Sequence, residues 1–319
     1  MAALLELGPR IACATISTSA GYCTLVPWSE VLLSSLVCAL TLTGCELEAG
    51  ARQPTSSPSE ALDSVHEREA PPLSSLRGNK RNAIAWAPLS DPDDVTVEGS
   101  VPSSRAWSTS KVLVVAAYLA TVVDGDPAMI PENARMSIRA ALAQSDEPSI
   151  NSIRHQIPNS SAAMTAILRA VGDATTAVPT AYEGTMQWHV REQVRFMSAL
   201  ANGRVVTPQA SAYLLQEMQP IESQRWGLGT IGARAFKPGW MNARTESRQM
   251  GIVGDFAVAI ITAGGDPGAP NGTGDYAHAW QLNRLAQLLA ERLDESRCFR
   301  PELFGKRTRW CPPGLAHAL

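Results

Sequence analysis

Residues 108–111 read STSK and open an apolar run, VLVVAAYLATVV, that ends at Val123. An apolar run of this length predicts a buried helix. Because Lys111 follows Ser108 by three residues, both side chains should lie on the same face at the start of this helix. A serine hydroxyl becomes an effective nucleophile when a base removes its proton, and a lysine whose pKa is lowered by burial can do so. We therefore expect Ser108 Oγ and Lys111 Nζ to lie within hydrogen-bonding distance.

Lysine is rare in this chain, which makes the positions of the few lysines informative. The sequence contains four lysines and 23 arginines. Arginine can serve any surface ion pair but stays protonated, whereas a buried lysine can lose its proton and act as a base. A second lysine opens residues 237–239 (KPG), and residues 145–147 (SDE) lie between the two. These three segments are the candidate site.

In chain order the three segments follow the pattern S-x-x-K, S-D-x and K-x-G, which resembles the motif set of class A β-lactamases and penicillin-binding proteins. The pair Ala106-Trp107 and the segment QRWGLG at 224–229 are similar to actinobacterial exported β-lactamase-like lipoproteins. The resemblance implies an α+β fold of the β-lactamase/transpeptidase type, an antiparallel sheet flanked by helices on both faces with a helical subdomain. We place this serine hydrolase domain at residues 81–297.

The order of the predicted elements agrees with that fold. Two strand-like runs, 82–90 and 95–101, precede the STSK helix. Helical patterns follow at 131–144, 160–171, 190–202 and 208–218, and strand-like runs at 235–240, 249–253 and 255–263 precede a helix over 276–293. The run at 255–263 is apolar throughout, which is typical of a central strand.

The resemblance implies a role for each matching side chain. Ser108 is the nucleophile that becomes acylated, and Lys111 is its general base. Ser145 and Lys237 complete the proton relay to the leaving group. Asp146 is expected to cap a turn rather than to take part in the chemistry.

The resemblance also implies an oxyanion hole formed by the backbone N–H groups of Ser108 and Trp240. Gly239 would let the substrate approach the β-strand closely. The serine-hydrolase mechanism that the resemblance implies needs no cofactor. No pair of histidines or cysteines in the sequence has the spacing of metal ligands.

Two matching positions depart from the family pattern. Glu147 stands where the family has asparagine, and its carboxylate should pair with Lys111 and keep that lysine protonated. Pro238 replaces a threonine or serine, removing a hydroxyl and a backbone N–H that would hold a substrate carboxylate, although a sheet edge tolerates proline. We therefore expect weak or absent β-lactam hydrolysis.

Two functions follow from these departures. The first is an exported serine hydrolase or acyl-transferase that acts on an amide or ester, of β-lactam or peptidoglycan type, through an acylated Ser108. The alternative is a binding lipoprotein on the same fold that has lost turnover. In either case the expected partner is a small molecule or peptidoglycan-like substrate, and the expected state is a monomer.

Residues 183–187, EGTMQ, are similar to a divergent E-x-x-L-N motif. In class A β-lactamases a glutamate of that motif activates the deacylating water, so Glu183 is a candidate for this role. The number of residues between this segment and the helix predicted at 190–202 is small for the loop that carries such a motif. An exposed loop glutamate is the other interpretation.

Residues 1–45 resemble a lipoprotein signal peptide. The apolar stretch at 31–43 is too short to span a bilayer and has the length of a signal-peptide core. It ends in LTGC at 42–45, which resembles a bacterial lipobox and makes Cys45 the expected lipidation site; a buried strand with an incidental cysteine is the alternative. Residues 46–80, rich in serine and proline, are typical of a disordered tether. The mature protein would be lipid-anchored at the outer face of the cell membrane.

The remaining composition excludes some partners. A net charge of −3 without any basic block argues against nucleic acid. Cys298 and Cys311 lie in a C-terminal tail, residues 298–319, and an exported protein could join them by a disulfide.

Overall fold

The computed structural model describes residues 72–101, 104–240, 246–263 and 279–297, and the backbone of two short strands beyond them. The strands of the main sheet are β1 (Asn82–Pro88), β2 (Thr96–Gly99), β3 (Ala235–Trp240), β4 (Glu246–Val253) and β5 (Phe256–Ala263). They are antiparallel and run in the order β2-β1-β5-β4-β3. A separate two-stranded sheet pairs β6 (Glu302–Leu303) with β7 (Lys306–Arg307). The strand β3 is therefore at an edge of the main sheet.

Seven α-helices lie in the described ranges. They are α1 (Ser110–Thr121), α2 (Glu132–Ala143), α3 (Glu147–His155), α4 (Ser160–Ala170), α5 (Val190–Ala201), α6 (Pro208–Glu217) and α7 (Ala279–Arg297).

The sheet buries a different core on each face because side chains alternate along a strand. On β1, the small residues Ala83, Ala85 and Ala87 face the core formed with α1 to α6. Ile84 and Trp86 point the other way, into a second core that α7 closes with a stripe of leucines. Helices therefore cover both faces of the sheet.

The helix α1 lies inside the larger core. Every residue from Ser110 to Leu119 is buried, as expected for a helix that is apolar on all sides. Lys111 lies in the first turn of this helix and is buried with it, with an exposed fraction of 2%. The position of α1 thus determines the environment of that lysine.

The fold class and most elements predicted from the sequence are confirmed. The apolar segment β5 is the central strand, and the helices predicted at 131–144, 160–171, 190–202 and 208–218 agree with α2, α4, α5 and α6 within one or two residues. Three elements differ. The strand β4 begins at Glu246, before the predicted start at 249, and the helix α7 continues to Arg297, past the predicted end at 293. The helix α3 is absent from the sequence-based prediction.

The predicted signal peptide with Cys45, the tether up to residue 71, and the tail cysteines Cys298 and Cys311 lie outside the described residues. No helix of the described chain has the length and apolar character needed to cross a membrane.

Candidate active site

A cleft of about 580 Å³ contains the nucleophile predicted from the sequence. It is bordered by the start of α1, by α3, by the segment 181–185 and by the end of β3. The residues that line it are Trp107, Ser108, Ser110, Lys111, Glu147, Asn151, Arg154, His155, Ala181, Tyr182, Glu183, Gly184, Thr185 and Trp240.

Ser108 lies in a 3-10 turn, Trp107–Thr109, that leads directly into α1. Trp107 has a φ of 46°, a strained value for a bulky residue and one that clusters at functional sites. The turn is held by two side-chain hydrogen bonds, from Ser110 Oγ to the carbonyl of Trp107 (2.7 Å) and from Thr109 Oγ1 to that of Ala106 (2.5 Å). We infer that these bonds fix the backbone on which Ser108 enters the cleft.

A buried guanidinium holds the chain on either side of this turn. Arg248 is fully buried and donates to the carbonyls of Ser104 (2.7 Å), Arg105 (2.6 Å) and Trp188 (2.7 Å) and to Gln193 Oε1 (2.8 Å). Burial lowers the pKa of Arg248 to about 9, which leaves the side chain charged at neutral pH. The arginine therefore joins the segment before Ser108 to the segment that follows residue 183.

Gly239 brings the edge strand β3 against the nucleophile turn. A Cβ atom on Gly239 would come within 3.0 Å of the backbone nitrogens of Ser108 and Thr109. Any larger residue would push the strand away from the turn. The requirement for glycine here is thus set by backbone packing.

The backbone of β3 alternates between β4 and the opposite edge. The N–H of Phe236 donates to the carbonyl of Met218 and not to β4 (3.0 Å). Residues two and four positions further, Pro238 and Trp240, present their backbone on that same edge. The nitrogen of Pro238, which lacks a hydrogen, therefore removes no bond from the β3–β4 ladder, and the prediction that proline would be tolerated at an edge is confirmed.

Lys237 is fully buried beside Ser145. Its Nζ contacts Ser145 Oγ and lies 3.1 Å from the carbonyl oxygen of Pro238. The pKa of Lys237 is well below its usual value, because burial removes the ammonium from water and the charge of Lys111 repels a second proton. Glu147 acts in the opposite direction but is outweighed.

Lys111 has different partners from those expected. Its Nζ donates to the carbonyl of Ser145 (2.5 Å) and forms an ion pair with Glu147 Oε2 (2.8 Å). No hydrogen bond joins Lys111 Nζ to Ser108 Oγ within the described residues, so the predicted contact between them is wrong for this state of the molecule. The reason is electrostatic, since an ammonium binds a carboxylate more strongly than a neutral hydroxyl. The expected pairing of Glu147 with Lys111 is confirmed.

The helix α3 brings unpredicted residues to the cleft. Asp146 is its N-cap and accepts a hydrogen bond from the N–H of Ser149 (2.9 Å), which confirms the capping role expected for Asp146. Asn151 and Arg154 follow Glu147 by four and seven residues and line the cleft from the same helical face. Aspartate followed two residues later by proline is a helix-start signal that could have identified α3 from the sequence.

Glu183 lies in the cleft wall with an exposed fraction of 4%. Its carboxylate forms an ion pair with Arg154 (Nε to Oε2, 3.3 Å). The interpretation of Glu183 as an exposed loop residue is therefore wrong. Its part in deacylation stays a prediction.

Comparison with solved structures identifies the fold. The chromosome-encoded β-lactamase of Vibrio parahaemolyticus superposes with a TM-score of 0.52 at 16% identity, over 67% of this chain and 94% of that chain. PBP-A gives a TM-score of 0.53 at 17% identity, over 70% and 93%. The TLA-3 extended-spectrum β-lactamase gives 0.52 at 13% identity, over 68% and 95%. No protein-family model matches the sequence, and a comparison with curated proteins finds no match. The chain has the β-lactamase/transpeptidase-like α+β fold.

Proposed function

We propose that this protein is a serine hydrolase or acyl-transferase that forms an acyl-enzyme at Ser108 with an amide or ester substrate. The observation that carries the proposal is the close approach of Gly239 to the backbone of Ser108. It brings Trp240, which also lines the cleft, next to the nucleophile turn. The N–H groups of Ser108 and Trp240 would stabilise the oxyanion. Ser145 and Lys237, already in contact, would supply the proton transfer.

The test is covalent labelling of the full chain with a fluorophosphonate and with a penicillin probe. Intact-mass analysis should show one added acyl or phosphonyl group, and peptide mapping should locate it on Ser108. An adduct located on any other residue, or no adduct from either probe, would contradict the proposal.

β-Lactam turnover should be weak, and reverting the two departures should increase acylation by the penicillin probe. In Glu147→Asn with Pro238→Thr, a hydroxyl and a backbone N–H return to the outer edge of β3 and a negative charge leaves the cleft. Restoring one positioning contact typically changes rates by roughly 10²–10³. The acylation rates of the double variant and of wild type are compared by intact-mass spectrometry of samples quenched at successive times.

The matched control is Glu147→Asn with Pro238→Ala, which restores the N–H without the hydroxyl. We expect it to give a smaller increase than Glu147→Asn with Pro238→Thr. If the double variant is no more reactive than wild type, these two positions do not limit β-lactam acylation, and the cleft suits a different substrate.

The second candidate function is a binding protein on the same fold that has lost turnover. The ion pair between Lys111 and Glu147 favours it, because it occupies the lysine expected to act as base. Its ligand would be a peptidoglycan fragment or a partner protein. Failure of every acylating probe to label the protein, together with retained binding of a peptidoglycan fragment in calorimetry, would support this candidate over the enzyme.

We also propose that the protein is exported and lipid-anchored through Cys45, on the basis of the LTGC sequence at 42–45. The variant Cys45→Ala should leave the membrane fraction or accumulate as an unprocessed precursor. Fractionation followed by immunoblotting and N-terminal mass analysis measures both. A wild-type protein that remains in the cytoplasm with Met1 intact would refute the proposed location.

A further inference from the structure

Lys111, which lines the cleft, and Lys237, which is fully buried beside Ser145, lie in contrasting surroundings. Both of the groups that contact Lys111 Nζ, the carbonyl of Ser145 and the carboxylate of Glu147, can only accept hydrogen bonds. Lys237 instead contacts the Ser145 hydroxyl, which can donate as well as accept, and the carbonyl of Pro238. Among the described residues no carboxylate contacts Lys237.

We propose that Lys237, and not Lys111, is the unprotonated amine of the site, and that it receives the proton of Ser108 through the hydroxyl of Ser145. Lys111 is then a fixed cation paired with Glu147. The inference deepens the proposed function and rests on it. It also exchanges the roles that the sequence motif implies for the two lysines.

Burial supports this exchange. Lys237 has an exposed fraction of 0%, and an isolated ammonium out of water is far less stable than a neutral amine. Its two neighbours, the hydroxyl of Ser145 and the carbonyl of Pro238, carry no negative charge that would stabilise an ammonium. The side chain of Lys111 is also nearly buried, but Glu147, 63% exposed, compensates its charge directly.

The charged groups around Lys237 act in opposite directions, and the neutral form is favoured on balance. On α1, Lys111 opposes a second positive charge, whereas Glu147 on α3 has a smaller, opposite effect and is already paired with Lys111. On β4, the uncharged Met250 stands opposite Lys237, while Arg248 lies opposite Gly239 with its guanidinium bound to backbone carbonyls. In the described surroundings of Lys237 the net effect therefore favours the neutral form.

The proton transfer balances without any co-reactant. As Ser108 Oγ forms a bond to the substrate carbonyl carbon, its proton moves to Ser145 Oγ, and the proton of Ser145 moves to Lys237 Nζ. When the tetrahedral intermediate collapses, the bond to the leaving group breaks. The leaving group takes a proton back from Lys237 through Ser145, and Ser108 remains acylated.

The protonation states can be measured without any substrate, because the chain has only four lysines. In the full-length protein labelled with ¹³C at lysine Cε, the spectrum contains at most four lysine signals, and Lys→Arg variants assign them. We expect the Lys237 signal to titrate well below the usual pH range of a lysine. Titration of Lys237 within that usual range would overturn the inference.

Kinetics with an activated ester probe separates the two lysines, because arginine keeps the charge but cannot serve as a base. We expect Lys237→Arg to lower the acylation rate by roughly 10²–10⁴-fold. Lys111→Arg keeps the pair with Glu147 and should lower it by less than about tenfold, a far smaller loss than that of a general base. The rate should rise with pH as Lys237 loses its proton, and Lys111→Arg should preserve this rise.

A larger loss in Lys111→Arg than in Lys237→Arg would overturn the inference. If Lys237→Arg does not fold, Lys237→Met replaces it, with circular dichroism as the check on folding. Acylated wild-type protein with a protonated Lys237 overturns the inference alone. A neutral Lys237 in a protein that no probe acylates overturns the proposed function, and the proton transfer falls with it.

Discussion

Ser108→Ala should abolish acylation and leave the stability of the fold unchanged. Loss of the nucleophile lowers turnover by roughly 10⁶-fold in serine hydrolases, which here means no detectable adduct with either probe. The hydroxyl of Ser108 forms no hydrogen bond within the described residues, so its removal should change the free energy of unfolding by less than about 0.5 kcal/mol. Intact-mass labelling and urea denaturation measure the two effects.

Ser110→Ala is the matched control, because it removes a hydroxyl from the same stretch of chain. Ser110 Oγ donates to the carbonyl of Trp107 (2.7 Å), and loss of such a bond costs about 1 kcal/mol. We expect this variant to be less stable than wild type and still to be acylated at Ser108, but more slowly, because the turn loses one of the bonds that hold it. Retained labelling in Ser108→Ala, or its loss in Ser110→Ala with Ser108 intact, would show that another residue or the turn geometry determines reactivity.

Arg248→Met should destabilise the domain by about 4 kcal/mol or more. The four acceptors of the guanidinium are the carbonyls of Ser104, Arg105 and Trp188 and the side-chain oxygen of Gln193. Each buried acceptor left without its donor costs about 1–3 kcal/mol, although Ser104 keeps a second bond from the backbone. This loss is a large part of the roughly 5–15 kcal/mol that stabilises a typical domain.

Urea denaturation followed by circular dichroism measures the loss in Arg248→Met. Arg225→Met is the control, since Arg225 lies 3.9 Å from a Glu222 that is 95% exposed, and such pairs contribute less than about 1 kcal/mol. Equal stability of the two variants would show that the buried guanidinium does not hold the segments around the nucleophile turn. Acylation should also fall in Arg248→Met, because the backbone before Ser108 loses its anchor.

Local sequence patterns were sufficient for the fold class and for most of the site. Apolar periodicity predicted α2, α4, α5 and α6, and the continuous apolar run predicted β5, because these patterns depend on neighbours in the chain. The order of the STSK, SDE and KPG segments placed Ser108, Lys111, Ser145 and Lys237 as one candidate site. The structure brings the four residues to a common region, and their catalytic roles stay predictions.

The helix α3 was missed although its signal is present in the sequence. The nine-residue helix has only two buried apolar residues, Ile150 and Ile153, which is too few for a clear period. Its first residue, Glu147, is also the last residue of the SDE segment, so the motif pattern does not reveal the helix. The consequence was that Arg154, which contacts Glu183 across the cleft, was not foreseen.

The sequence by itself determined the β-lactamase-like fold and the residue types available for the chemistry, since helix period, strand pattern and motif spacing are properties of adjacent residues. Only the tertiary structure decided which lysine meets which partner. Lys111 meets Glu147 at 2.8 Å, whereas Lys237 is enclosed with a hydroxyl and a carbonyl. Burial and neighbouring charge determine the protonation of a lysine, and both depend on residues distant in the chain that packing brings together.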